Sequence, residues 1–128
     1  MASAMLDGCL ILIVEDEPII AIDLDETFGS AGARVINAMT MAAALRLAED
    51  VDLSAAVVDY GLLDGDSTAL CARLQDRKIP FLMDTGYEPS EACSGGLFVA
   101  KPASPDRLLS AMGELLNLKE APQGEARH

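Results

Sequence analysis

Short, mostly apolar runs alternate with longer amphipathic stretches along this chain. The apolar runs cover residues 9–14, 33–39, 55–58, 81–84 and 97–100, and include CLILIV, AAVV and LFVA. Runs of this length and composition are typical of strands that are buried on both faces of a parallel sheet. Their alternation with helical patterns predicts an α/β domain with a doubly wound, five-stranded parallel sheet.

The amphipathic stretches carry helix signals at their ends. Pro18 suits the opening turn of the first helix, and Gly32 is predicted to end it. Thr40 and Ser67 are predicted N-caps of the next two helices, and Ser104 begins the signal for the last. The residues expected to face the core recur at helical spacing, namely Ile20, Leu24, Phe28 and Ala31; Met41, Ala44, Leu45 and Ala48; Leu70, Cys71 and Leu74; and Leu108, Met112, Leu115 and Leu116.

The segment between the fourth and fifth strands lacks a sustained helical stripe. Residues 86–96 are mostly polar and are interrupted by Pro89 and a pair of glycines, which predicts a shortened or irregular fourth helix. The length of 128 residues indicates a single domain. We expect an N-terminal lead over residues 1–8, the domain over residues 9–118, and a flexible tail over residues 119–128.

Composition narrows the function classes. The formal net charge of −12 argues against binding to nucleic acid or to an anionic membrane. The only histidine is His128, the last residue, so a histidine-dependent catalytic arrangement within the fold is excluded. The cysteines, Cys9, Cys71 and Cys93, are odd in number and far apart, which favours free, reduced thiols in a cytoplasmic protein.

Polar residues follow the predicted strands at the ends that parallel strands share. Glu15 and Asp16 close the first strand, Asp59 the third, Thr85 the fourth and Lys101 the fifth. In open α/β sheets, ligands bind at the edge where the carboxyl ends of the strands meet. Carboxylates, a hydroxyl and an amine gathered there predict a Mg²⁺-assisted site for a phosphoryl group.

Each of these residues also has a simpler explanation when it is taken singly. Acidic residues before a helix favour the helix dipole, which would account for Glu15 and Asp16. Asp59 could be a turn former, but a carboxylate that ends an apolar strand is costly unless a cation compensates it. Asp59 is therefore the candidate nucleophile, because carboxylates form aspartyl-phosphates. The whole set, in this order along the chain, is more specific for a phosphoryl-transfer site than any one of its members.

The segments ILIVEDEP, AAVVDYGLLDGDS, PFLMDTGY and LFVAKP resemble the receiver domain of two-component response regulators, over residues 9–118. The resemblance implies a flavodoxin-like sheet with strand order 2-1-3-4-5. It implies that Asp59 is the phosphoacceptor and that Asp16 is a direct Mg²⁺ ligand. Glu15 would bind the ion indirectly, and Asp59 and the backbone carbonyl of Gly61 would complete the protein ligands.

Further roles follow from the same resemblance. Thr85 and Lys101 would contact the phosphoryl group, and Phe98 would be the aromatic switch residue. The bond before Pro102 would be cis, which places the Lys101 amine over the site. PFLMDTGY also resembles the "FATGUY" subgroup of stand-alone receivers, from which the chain departs at two positions. Asp84 stands where that subgroup usually has Ala, and Ala103 where Phe is common.

The resulting hypothesis is a cytoplasmic single-domain response regulator that is not an enzyme. It would accept a phosphoryl group from a histidine kinase or histidine phosphotransfer protein and would signal to an unknown protein, by conformational change or onward transfer. Mg²⁺ is the expected cofactor, and a monomer or weak homodimer is the expected state. The alternatives are an Asp-nucleophile phosphatase, a phosphorylation-independent interaction module and a receiver from a hybrid kinase.

Overall fold

A computed structural model of the chain describes residues 5–50, 52–59, 68–85, 93, 95–100 and 103–120. Within these ranges, the structure describes only the backbone of residues 50, 84, 85 and 118–120. The elements alternate between strand and helix up to the fourth strand, as the apolar pattern predicts. In chain order they are β1 (Leu10–Val14), α1 (Pro18–Ser30), β2 (Arg34–Ala38), α2 (Met41–Asp50), β3 (Ala55–Asp59), α3 (Thr68–Asp76), β4 (Phe81–Thr85), β5 (Leu97–Ala100) and α4 (Pro105–Glu120).

The five strands form one parallel sheet in the order β2-β1-β3-β4-β5. Both the parallel sheet and the predicted strand order are confirmed. Among the described residues, no α-helix lies between β4 and β5, although Cys93 has a 3₁₀-helical conformation. Most of that connection falls outside the described residues, and the predicted N-cap Ser67 does as well.

The central strand β1 is buried on both faces because it separates two hydrophobic cores. Leu12 and Val14 contribute to a core that contains residues of α2 and α3. Ile11 and Ile13 contribute to a second core that contains residues of α1 and α4. Successive side chains of a strand point to opposite faces, so an uninterrupted apolar run fills both cores at once.

Helix starts follow the side-chain signals. The Ala43 backbone N–H donates to Thr40 Oγ1 at 3.1 Å, and the Arg107 N–H donates to Ser104 Oγ at 3.1 Å. Both are N-cap hydrogen bonds, which satisfy a backbone donor in the first turn. Pro18 opens α1, and Gly32 with φ of +105° follows its end, in a conformation that glycine adopts readily.

The predicted core face of α1 is wrong at one position. Ile20 is exposed, and the buried stripe of the helix is Ala21, Leu24 and Phe28. A second apolar residue that the pattern did not single out, Leu6, is buried in the core beside Phe28. The Leu6 N–H donates to the carbonyl of Ala31 at 2.7 Å, which fixes this segment against the end of α1.

The expectation of three free thiols is also wrong. Cys71 of α3 and Cys93 form a disulfide, while Cys9 is free. The two bonded residues are 22 positions apart in the sequence, but α3 packs close to the start of β5 and brings their Cα atoms to 5.0 Å. A sequence separation of that size gave no signal of contact, which is why the pairing was missed.

Candidate functional site

Three acidic side chains meet at the carboxyl edge of the two central strands. Glu15 and Asp16 directly follow β1, and Asp59 is the last residue of β3. The strands are adjacent and in parallel register, with Val14 opposite Val58. The end of β1 therefore lies beside the end of β3, and the sequence order of the acidic residues becomes a spatial cluster.

The cluster has the dimensions of a cation site. One carboxylate oxygen from each of Glu15, Asp16 and Asp59 can be chosen so that all lie within 4.8 Å of one another. Oxygen ligands of this kind suit hard cations such as Mg²⁺, which also retains several waters or phosphate oxygens. Asp16 and Asp59 are half-buried, whereas Glu15 is only 2% exposed. The donor set thus fits a magnesium ion that is approached from the side of the two aspartates.

Local backbone bonds hold Glu15 in place. Its N–H donates to the carbonyl of Ala38 on the neighbouring strand at 3.0 Å. Its carboxylate oxygen Oε2 accepts a hydrogen bond from the N–H of Glu17 at 3.1 Å. Glu17 is the N-cap residue of α1, so the turn into the helix orients the buried carboxylate. This contribution of the Glu17 backbone was missed at the level of sequence, because any residue other than proline supplies the same N–H.

The structure describes only some of the remaining predicted site residues. Thr85 ends β4, where it pairs with Ala100 of β5, and its neighbour Asp84 pairs with Asp59. The backbone of Thr85 therefore lies at the same sheet edge as the carboxylates. Lys101, Gly61 and Pro102 lie outside the described residues, and so does the predicted cis bond.

Phe98 lies on β5, opposite Met83 of β4, and its side chain is 38% exposed. Its neighbour Val99 points to the other face of the sheet and is buried in the core. Phe98 is thus on the strand that leads to Lys101 but is not part of either core. Ala103, one of the two positions at which the sequence departs from the related subgroup, packs against the core beside α4.

The first helix presents an apolar surface next to the cluster. Ile19 and Ile22 are 70% and 58% exposed, and their spacing puts them on one face of α1. Ile20 and Leu24 line a groove between α1 and α4 together with Leu108. Large aliphatic side chains grouped at the surface commonly mark a protein contact. Ile20 was predicted to face the core, so this surface was not expected from the sequence.

The sequence of the chain is similar to that of one curated protein. No family model matches the chain. A curated relative, the phyllosphere-induced regulator PhyR of Methylorubrum extorquens, is 28% identical over 127 residues. That match covers 92% of this chain and 47% of PhyR, so the chain spans about half the length of the curated relative it matches.

Solved structures decide the fold. A CheY-like response regulator receiver domain from Methanospirillum hungatei is 28% identical and superposes with a TM-score of 0.80, covering 88% of this chain and 96% of that one. The chain has the fold of a CheY-like receiver domain. This confirms the resemblance and the fold class that the sequence predicted. This neighbour is named as a response regulator receiver domain, which supports a receiver function for this chain.

A less similar solved structure was determined with a bound metal ion. The response regulator TrrA of Thermotoga maritima, whose structure is of a complex with Mg²⁺ and BeF, has a TM-score of 0.77 at 20% identity. It covers 84% of this chain and 99% of that chain, and at this identity the similarity concerns the fold alone. None of the helices in the described part of the chain is both long and apolar enough to cross a membrane.

Proposed function

We propose that this receiver domain accepts a phosphoryl group on Asp59 from a phosphohistidine donor. The observation that carries the proposal is the cluster of Glu15, Asp16 and Asp59 at the carboxyl edge of the sheet, with oxygens within 4.8 Å. A carboxylate oxygen of Asp59 would attack the phosphorus. The P–N bond to the donor imidazole would break, and that nitrogen would keep the electron pair and take up a proton.

The other site residues would serve this step. A bound Mg²⁺ would offset the repulsion between the carboxylates and the incoming phosphoryl oxygens. Asp16 would bind the ion directly, the buried Glu15 through a water molecule, and Gly61 through its backbone carbonyl. Thr85 would donate its hydroxyl, and Lys101 its ammonium, to oxygens of the transferred group.

A protein that works in this way is a signalling protein and not a multiple-turnover enzyme. The phosphoryl group would shift the Phe98 side chain inward and change the surface of β5, or would be passed on to another histidine. The donor would be a histidine kinase or a histidine phosphotransfer protein in the cytoplasm. A net charge of −12 supports a protein and not a nucleic acid as the downstream partner.

The exposed isoleucines of α1 provide a place for the donor. Ile19 and Ile22 lie on one face of the helix that begins two residues after Asp16. A donor that brings its imidazole to Asp59 would contact this end of α1, because the helix begins close to Asp16. Ile22→Ser should therefore slow transfer from any phosphohistidine donor that labels the protein, while labelling by a small phosphodonor should be unchanged. Equal slowing of both reactions would contradict the assignment of this surface.

The proposed function is tested by incubating the protein with acetyl phosphate, with and without Mg²⁺, and measuring the intact mass. We expect one phosphoryl group per chain with Mg²⁺ and none in Asp59→Ala. Asp52→Ala, at an exposed position before β3, is the matched control and should be labelled normally. Undiminished labelling of Asp59→Ala, or no labelling of the natural protein, would overturn the proposal. Repeated turnover of a phosphate monoester would instead favour a phosphatase.

A further inference from the structure

A buried cysteine pair joins two elements at the edge of the sheet. Cys71 lies on the inner face of α3, and Cys93 lies shortly before β5. Both side chains are fully buried in the same core, and their Cα atoms are 5.0 Å apart. This spacing lies in the range that a disulfide requires, and the two residues are bonded in the structure.

The described residues that lead into β5, namely Cys93, Gly95 and Gly96, are packed closely against their surroundings. The Gly96 N–H donates to the Cys93 carbonyl at 3.1 Å, one residue before β5 begins. A Cβ atom at Gly95 would come within 2.8 Å of Gln75 of α3, and one at Gly96 within 2.4 Å of the Phe81 ring. The cysteine bond therefore ties α3 to a tightly seated lead into the strand that carries Phe98.

We propose that Cys71 and Cys93 are a redox modification site, and that their disulfide restrains the lead into β5 and so couples oxidation of the chain to its phosphorylation. The assignment of the pair as a redox site rests on the geometry alone, whereas its coupling to phosphorylation rests on the proposed function. Oxidation by glutathione disulfide proceeds through a mixed disulfide. The two cysteine thiols lose two electrons and two protons, the cysteine S–S bond forms, and glutathione disulfide is reduced to two thiols.

Burial limits the access of thiol reagents to the two cysteine sulfur atoms. Both sulfur atoms are inside the core, and the Cys71 sulfur lies 3.7 Å from the Met83 sulfur. A thiol reagent can reach them only when the packing between α3 and the lead into β5 opens locally. The half-buried Cys9 is the third thiol of the chain and serves as an internal reference for reagent access.

The direction of the coupling follows from the position of the bond. Phosphorylation is proposed to move Phe98, whose strand begins directly after the tethered segment. The disulfide holds this segment in its present place, so the oxidised chain must resist that movement. By linkage, oxidation should weaken binding of a phosphoryl mimic, and the mimic should equally favour the reduced pair.

The pair is tested by counting thiols. The protein is equilibrated in glutathione buffers of graded ratio, quenched in acid, denatured, alkylated and weighed. Three alkyl groups are expected on the reduced chain and one, on Cys9, after oxidation. The Cys9→Ser variant should carry two alkyl groups when it is reduced and none after oxidation. Three alkyl groups in every buffer, glutathione adducts alone, or a bond that includes Cys9 would overturn the proposal.

The melting temperature gives an independent test of the bond. A bond across 22 residues restricts the unfolded chain, and the oxidised protein should melt about 10 °C above the reduced protein. Cys71→Ala and Cys93→Ala cannot form the bond, so their melting temperatures should not respond to the glutathione ratio. A response of either variant equal to that of the natural chain would assign the effect to other groups.

The coupling is tested with Mg²⁺ and beryllofluoride, a mimic of the phosphoryl group, by calorimetry on the oxidised and reduced protein. Binding to the oxidised chain should be about tenfold weaker, which lies towards the lower end of the usual range of coupling. Equal affinity in the two states would overturn the coupling. Absence of binding in both states would overturn the proposed function and the coupling together, while the thiol count decides the pair by itself.

Discussion

Replacing Asp16 by Asn should stabilise the protein when no divalent cation is present. Asp16, Glu15 and Asp59 bring carboxylate oxygens within 4.8 Å of one another. Two unit charges at that distance repel by about 0.9 kcal/mol at the dielectric constant of water and by more near a protein surface. The substitution removes two of the three repulsive pairs, and screening by salt reduces the gain. We expect about 1–2 kcal/mol of added stability, or about 4–8 °C in melting temperature for a chain of this size.

The same substitution should reduce the response to Mg²⁺. The ion binds the folded cluster, so it stabilises the natural protein by mass action, by about 2.7 kcal/mol at one hundred times its dissociation constant. The neutral amide of Asn is a weaker ligand than the carboxylate of Asp16. The advantage of the variant in EDTA should therefore shrink as Mg²⁺ rises and then reverse.

The assay is urea unfolding followed by circular dichroism, in EDTA and in a series of MgCl₂ concentrations at constant ionic strength. Asp23→Asn makes the same change of charge at an exposed position of α1, outside the cluster, and should respond to Mg²⁺ as the natural protein does. A variant at Asp16 that is no more stable than the natural protein in EDTA would refute the argument from repulsion. A constant difference between the two proteins at every Mg²⁺ concentration would refute the metal site.

Three further substitutions test the packing and the surface charges. Gly96→Ala should destabilise the protein by about 1–3 kcal/mol in urea unfolding, because its Cβ would lie 2.4 Å from a carbon of the Phe81 ring. Phe28→Ala should cost about 3–5 kcal/mol in the same assay, because that ring is fully buried; a loss below 1 kcal/mol would contradict its place in the core. The Arg73 guanidinium, bonded to the Glu49 carboxylate, lowers the pKa of Glu49 below its ordinary 4.5, so the pair stabilises the fold at neutral pH. That contribution should disappear as the pH falls below 4.5 and through the lowered pKa. The difference in stability between Glu49→Gln and the natural protein should therefore vanish at low pH, and also in about 1 M salt. A difference that persists under these conditions would refute the contribution of the ion pair.

The sequence predicted the sheet well because its signals are local. An apolar run such as residues 9–14 contains enough information to specify a strand buried on both faces, and the alternation with helices supplies the parallel arrangement. N-caps such as Thr40 and Ser104 were predictable for the same reason, since each acts on the helix that follows it. The clustering of Glu15, Asp16 and Asp59 followed from strand ends meeting at one edge.

Features that depend on tertiary contacts were not predictable in this way. Ile20 and Ala21 both continue the helical stripe of α1, and only the direction of packing decides that Ala21 is buried and Ile20 exposed. Cys71 and Cys93 meet only after α3 has packed beside the lead into β5. Leu6 is buried because a turn returns it to the end of α1, and that turn has no periodic pattern of its own.

The place of β1 in the middle of the sheet sets the order in which the domain can assemble. Its partner on one side, β2, follows after a single helix, but its partner on the other side is β3. The Leu10 N–H donates to Ser54 Oγ, in a contact that spans 44 positions of the sequence. During synthesis from the N-terminus, a β1–α1–β2 unit would therefore keep one apolar edge unpaired until β3 emerges. Contacts between distant positions form late and slowly, so this interval is when a nascent chain most needs protection from aggregation.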